Sequence, residues 1–432
     1  MYISTSHLAE TAKAIRTNKI DAENFIKQTC TLINKNDIHV KALIKEKNRQ
    51  DRLIKEIKIL KKKYPDIESR PPLFGIPVGI KDIINSDGFK TKAGSDLPSK
   101  LFKGQEASVV TKLKNAGAVI LGKTVTTEFA YFEPGKTRNP HNIEHTPGGS
   151  SSGSAAAVAE GIVPLAIGTQ TIGSIIRPAA YCGVIGFKPG FDRINKDGVI
   201  PFSVSADHIG IFTQDIEGID LAASVLCNNW TQINNLLKKP TIGAVTGKYF
   251  NQANPEITEH FENHINNLKS LGFEIKRLNP FDDIDDIINK HQTMIAYEFF
   301  QVHKKWFENY ESKYKLATKE LILKGKNIST KDYLISKNGR EEFRKKLEQL
   351  MFKHQIDVFL SPATTSVAPK GMQTGSPLMN LPWTYSGLPV ITVPIGKSID
   401  NLPIGVQLTG FFNNDEELIQ HTKRIYSEFY KS

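Results

Sequence analysis

Residues 148–188 read GGSSSGSAAAVAEGIVPLAIGTQTIGSIIRPAAYCGVIGFK. Within this stretch, 154–160 carries the small residues of a helix, and 162–167 is an apolar run of strand length. Two serine-bearing glycine loops flank that pair, GGSSSGS at 148–154 and QTIGS at 170–174. The second loop lies just beyond the strand's end, the side on which open α/β sheets place their ligands. Gly173 beside Ser174 leaves the backbone free to turn its N–H groups inward, as a developing oxyanion requires.

Working outward, 74–84 is a continuous apolar run with flanking glycine and prolines, GIPVGIK closing at Lys81, and predicts a buried strand ending near that lysine. Helices are expected over 21–32, with Asp21 as its cap, and over 48–63 and 108–116, with a strand over 118–121. Past Phe187 the pattern loosens. Strand-like runs resume at 241–245, 357–360, 389–394 and 404–408, around a mostly helical stretch at 255–354, and a helix over 416–430 closes the chain. The alternation predicts an α/β fold, a central mixed β-sheet flanked by many α-helices. There is no internal repeat and no low-complexity segment.

Serine is a weak nucleophile until a base takes its proton, and a lysine held neutral by burial can do so. Lys81 and the two serine loops therefore point to serine–lysine hydrolysis. Two other motifs compete. Residues 117–124, GAVILGKT, fit the phosphate-loop expression, but the four intervening residues are an apolar strand and not a loop that could wrap a phosphate. Residues 149–153 fit G-x-S-x-G with Ser151 at the centre, yet a nucleophile elbow must follow a strand, and here the polar stretch 142–147 precedes it.

The whole of 148–188 closely resembles the signature region of the amidase signature family. Lys81-Asp82 resembles that family's lysine motif, and LSPATTSVAP at 360–369 and LPWTYSGLPVITVPIG at 381–396 resemble its later blocks, so the likeness spans most of the chain. The resemblance implies Ser174 as nucleophile, Ser150 as a bridging serine after a cis peptide, Lys81 as general base, and the backbone N–H groups of Thr171, Ile172, Gly173 and Ser174 as oxyanion hole. Ser174 follows Ser150 by 24 residues, the family's spacing, which selects Ser150 over Ser151 and Ser152. It also implies one amidase domain over 1–432, with N-terminal helices at 1–65, a catalytic core at 66–237, and the rest of the same sheet at 238–432. The activity implied is hydrolysis of a small-molecule amide to carboxylate plus ammonia or amine, with no cofactor and no metal. The alternative is the A subunit of a glutamyl-tRNA(Gln) amidotransferase-type complex drawing ammonia from glutamine; a catalytically silent scaffold is the third reading. The common family pattern around the nucleophile is DTGGSIR, whereas this chain has Gln170, Ile172 and Ile176, a form that looks more like stand-alone amidases. Substrate contacts are sought at 127–131 and at Met379, Trp383 and Tyr385, although buried aromatics more often belong to a core. Asp82 is expected to be structural, since a carboxylate touching Lys81 would raise its pKa.

With 39% hydrophobic and 23% charged residues the chain can bury a large core. The net charge of +11 draws on lysines such as Lys55, Lys58, Lys61, Lys62 and Lys63, expected on a solvated helix face, so nucleic acid is not the expected partner. A homodimer is compatible with the composition. Cys30, Cys182 and Cys227 have the spacing of neither a disulfide framework nor a zinc site, and fit reducing cytoplasm. No apolar run reaches the ~20 residues that span a bilayer, so an unexported protein without a membrane anchor is expected.

Overall fold

A computed structural model describes residues 7–233 and 238–429. The chain opens with α1 (Leu8–Arg16), α2 (Ala22–Val40) and α3 (Arg49–Lys63). Asp21 caps α2 as expected, accepting from Asn24 N at 2.9 Å, but the helix runs a further two turns past residue 32. Then come β1 (Pro77–Lys81), α4 (Ser108–Asn115), β2 (Val119–Thr124), α5 (Ser152–Ala159), β3 (Leu165–Gln170) and α6 (Ile176–Cys182). The middle of the chain forms β4 (Ile185–Lys188), β5 (His208–Thr213), α7 (Ile216–Leu226), β6 (Ile242–Val245), α8 (Pro255–Ser270) and β7 (Ile275–Leu278). It closes with α9 (Ile284–Tyr310), α10 (Leu316–Lys326), α11 (Thr330–Lys353), β8 (Val358–Pro362), α12 (Leu381–Ser386), β9 (Val390–Lys397), β10 (Pro403–Thr409) and α13 (Asp415–Phe429). Tyr430, expected in the closing helix, lies outside the described residues.

The ten strands among the described residues join one sheet in the order β2-β1-β3-β5-β4-β9-β10-β8-β6-β7. The pairs β1/β2, β1/β3, β6/β7 and β6/β8 are parallel and the rest antiparallel, so the sheet is mixed and the α/β expectation holds. The stretch 255–354 is helical as expected except for β7, an edge strand whose Lys276 and Arg277 hide it from a hydrophobicity reading. Strand β5 and helix α7 occupy the region past Phe187 where the pattern had loosened.

Two local features place the site. β1 is buried at every residue and ends on Lys81, while β3, its parallel neighbour, ends on Gln170. Both carboxyl ends therefore open to the same edge of the sheet. Helix α5 is buried all round, with small residues that let the chain pass close by: a Cβ on Gly153 would meet Ala42 O and Val125 N at 2.3 Å. The apolar residues of 117–124 form β2, where Lys123 is buried and pairs with Asp82 at 3.2 Å, so this segment is no phosphate loop. Among the described residues no helix is long and apolar enough to cross a membrane.

Candidate active site

Lys81 is fully buried at the end of β1. Its Nζ lies 2.7 Å from Ser150 Oγ, 2.8 Å from Thr169 Oγ1 and 3.4 Å from Thr169 O. The adjacent carboxylate, Asp82, is taken up by Lys123 and by the backbone N–H of Lys92 at 3.2 Å, which leaves Lys81 without a carboxylate partner among the described residues. Burial pushes the Lys81 pKa well below the ordinary lysine range, and only the charge of Asp207 works the other way. A neutral amine has two N–H donors and one lone pair. With both donors turned to Thr169, the lone pair faces the Ser150 hydroxyl, the arrangement that lets Lys81 accept a proton from it.

Ser150 follows a cis peptide from Gly149. The loop around it is held by the neighbouring serines. Ser151 Oγ donates to Thr169 O at 3.1 Å and accepts from Thr169 N at 3.2 Å; Ser152 Oγ donates to Val125 O at 3.3 Å, and Ser154 Oγ to Ile167 O at 3.0 Å. A side chain outside the expected set completes the hold: Arg177, buried, donates to Gly149 O at 2.8 Å and to Gly375 O at 2.6 Å.

The loop 171–174 leaves β3 beside Lys81, and Ser174 stands at its end. Ser151 N donates to the Ser174 carbonyl at 3.4 Å, which ties the two serine loops together. The Ser174 hydroxyl makes no hydrogen bond among the described residues, to Ser150 or to any other group. The N–H groups of Thr171, Ile172, Gly173 and Ser174 likewise find no acceptor among the described residues. Four successive free donors ending on a free hydroxyl are what a tetrahedral oxyanion can use.

Gln170, the departure from the common aspartate, takes up a structural task. Its Oε1 accepts from Ile175 N at 2.7 Å and Ile176 N at 3.0 Å, and its Nε2 donates to Thr384 Oγ1 at 2.8 Å. Thr384 Oγ1 in turn donates to Ile172 O at 2.6 Å. The amide thus closes the turn and, through Thr384, steadies the Ile172 carbonyl from outside. Asn380 packs on Gly173, with Nδ2 fixed by Ala363 O at 2.9 Å and Gln407 Oε1 at 3.1 Å, and a Cβ on Gly173 would meet Asn380 Oδ1 at 2.4 Å. Gly173→Ala is therefore expected to displace the free N–H groups and slow fluorophosphonate labelling of Ser174 by about a hundredfold while the fold persists. An unchanged labelling rate would detach this loop from the chemistry.

Met379, Trp383 and Tyr385 are core. Trp383 packs against Tyr249, Phe281 and Phe359 and donates Nε1–H to Tyr249 OH at 3.1 Å. Of 127–131, Phe129 is buried among Phe102, His303 and Tyr314, while Tyr131 lines a cavity of about 360 Å³ that Ile172 also lines. Cys182 is a buried thiol pushed up by burial and far from acting as a nucleophile. No cluster among the described residues could hold a metal ion. Sequence reasoning missed Thr169, Arg177 and the role of Gln170. All three lie inside the signature stretch, but their partners, the Lys81 amine for Thr169, backbone groups and Thr384 for Gln170, and backbone carbonyls for Arg177, are brought together by the fold and no spacing reveals them.

A family model described as Amidase matches residues 49–419. The A subunit of the glutamyl-tRNA(Gln) amidotransferase of Alkaliphilus metalliredigens is 31% identical over 86% of this chain and 86% of that protein. Its namesake from Fusobacterium nucleatum is 28% identical over 95% of this chain and 94% of that one. Among solved structures, a peptide amidase in complex with the competitive inhibitor chymostatin matches with a TM-score of 0.84 at 25% identity, covering 98% of each chain.

Proposed function

Since this chain belongs to the Amidase family and so is a hydrolase of carbon–nitrogen bonds, we propose that it cleaves carboxamides through an acyl-enzyme on Ser174. The observation that carries this reading is the buried Lys81 amine, unpaired with any carboxylate and 2.7 Å from Ser150 Oγ, beside a loop of free N–H groups. In the proposed reaction Ser150 gives its proton to Lys81 and takes the proton of Ser174 as that hydroxyl attacks the amide carbonyl. The N–H groups of 171–174 receive the oxyanion. As the tetrahedral intermediate collapses, the proton returns through Ser150 to the leaving nitrogen, which departs as ammonia or amine. Water then attacks the ester by the same relay, releasing carboxylate and restoring Ser174. On this reading residues 1–432 act as one amidase domain on a small-molecule amide.

The cavity at Ile172 bears on the substrate. Tyr131, Phe132, Leu321, Leu378 and Leu381 line it, and its two charged lining residues, Glu320 and Lys324, are exposed one turn apart on α10. Such a wall suits an uncharged, apolar amide. The second reading, the glutamine-using component of an amidotransferase, is favoured by the curated relatives and set against the Gln170, Ile172 and Ile176 form of the signature. Free glutamine brings an ammonium and a carboxylate, and the lining meets them only with the exposed Glu320 and Lys324, with no buried opposite charge. The test is intact mass and peptide mapping after fluorophosphonate, followed by ammonia release from aliphatic and aryl amides and from L-glutamine. An adduct on Ser174 with turnover of apolar amides supports the first reading. Turnover of glutamine alone selects the second, and no adduct on folded protein overturns both.

A further inference from the structure

A second and smaller cavity, of about 80 Å³, borders the same loop at Thr171. Thr169, Thr171, Lys196, Asp207 and His208 line it among apolar neighbours. Asp207, just before β5, divides its two oxygens between different tasks. Oδ2 accepts from Phe202 N at 2.8 Å and Ser203 N at 3.0 Å, closing its own turn. Oδ1 leaves that turn and accepts from Thr171 Oγ1 at 2.6 Å, a link across 36 positions to the first residue of the loop.

The turn is anchored in its own right. Glu298 on α9 accepts from Ser203 Oγ at 2.5 Å and Ser205 N at 2.9 Å through Oε2, and from Ser205 Oγ at 2.6 Å and Tyr333 OH at 2.9 Å through Oε1. With Glu298 fixing 203–205, the bond from Asp207 to Thr171 is not needed to shape the turn. Its effect falls on the loop.

We propose that Asp207 is a positioning residue for the reaction, holding Thr171 through its hydroxyl and so aiming the free N–H groups of 171–174 at the oxyanion formed on Ser174. This rests on the reading of Ser174 as nucleophile. A backbone N–H free to swing would lose much of its value, because a preorganised donor contributes only while it points at the developing charge.

The carboxylate also carries charge. Three donors converge on it, which matches the ionised form, although burial lifts its pKa to about 6. The other groups facing this region are Lys81, Lys196, His208 and His291. Burial first, then Lys188, Arg340 and Lys196, hold His208 neutral, and burial and Arg340 bring His291 to about 3, so neither imidazole titrates at neutral pH. The negative charge of Asp207 therefore stands alone in favouring protonated Lys81. Because the base works only when neutral, removing that charge lowers the pH at which Lys81 becomes active. The shift of that limb reads the charge of Asp207 on Lys81, and the loss of rate reads its hold on Thr171.

The experiment is the pH dependence of Ser174 labelling by a fluorophosphonate, with saturation to separate binding from the bond-forming rate, in the intact protein and in Asp207→Asn, Thr171→Val and Thr171→Ser. Folding is followed by circular dichroism. Asp207→Asn should label about tenfold more slowly at saturation, with the acid limb moved to lower pH. Thr171→Val should slow about as much with the limb unmoved, and Thr171→Ser, which keeps the hydroxyl, should restore most of the rate. Wild-type labelling rates in Thr171→Val, or an unmoved limb in Asp207→Asn, would overturn the proposal. If wild-type protein takes no adduct on Ser174, the nucleophile assignment fails and the proposal with it. Normal wild-type labelling with unaffected variants sinks only the proposal.

Discussion

Ser174→Ala is expected to lose covalent labelling by a fluorophosphonate completely, and at least about 10⁴-fold in amide turnover. The other serines are occupied. Ser151 Oγ is committed to both the N–H and the carbonyl of Thr169, and Ser150 Oγ is engaged by Lys81. Among the described residues Ser174 Oγ alone in this group is free, at the end of four unpaired N–H groups. The bond that ties its backbone to the neighbouring loop, from Ser151 N, survives removal of the hydroxyl, so circular dichroism and thermal unfolding should be unchanged. Peptide mapping checks the result. Labelling that persists and maps to Ser150 or Ser151 would move the nucleophile and dismantle the relay.

The features most legible in the sequence were those carried by contiguous residues. The apolar run ending at Lys81, the Ala-rich helix after the first serine loop and the strand before the second are each local patterns, and each forms within a few positions of where it was expected. The rejection of 117–124 as a phosphate loop was legible for the same reason, since a run of apolar residues states its own burial. The structural role expected of Asp82 rested on electrostatics and is met by its pairing with Lys123. What stayed hidden is non-local. His208–Thr213 is a strand because β3 on one side and β4 on the other bury it, and its glycine and histidine blur the pattern. β7 is an edge strand with two adjacent basic residues, which read as surface. Thr171 and Asp207 meet because β5 pairs antiparallel with β3, so the turn before β5 comes back to the loop after β3. No spacing rule announces that meeting.

Lys81→Met should cut the bond-forming rate on Ser174 by about 10²- to 10⁴-fold, the range a positioned general base supplies. Its pH profile should also change shape. In the wild-type protein the rate climbs as Lys81 gives up its proton, and because burial sets that pKa well below the ordinary lysine range, the climb should end well below the pH at which a free lysine titrates. Methionine cannot titrate, so the residual rate in the variant should lack this limb. Stability should move in the other direction. With its folded pKa depressed below the unfolded value, Lys81 binds more protons unfolded than folded between those two values, so it penalises the native state increasingly as pH falls through that window. Methionine is close in length and carries no charge, though it leaves Ser150 Oγ and Thr169 Oγ1 without their amine partner. The difference in Tm between variant and parent should therefore shift in the variant's favour as the pH is lowered. Measured together, a lost limb and a Tm difference that grows toward low pH identify Lys81 as a buried neutral base. A variant that keeps the wild-type rate and limb would show that some other group takes the proton from Ser150.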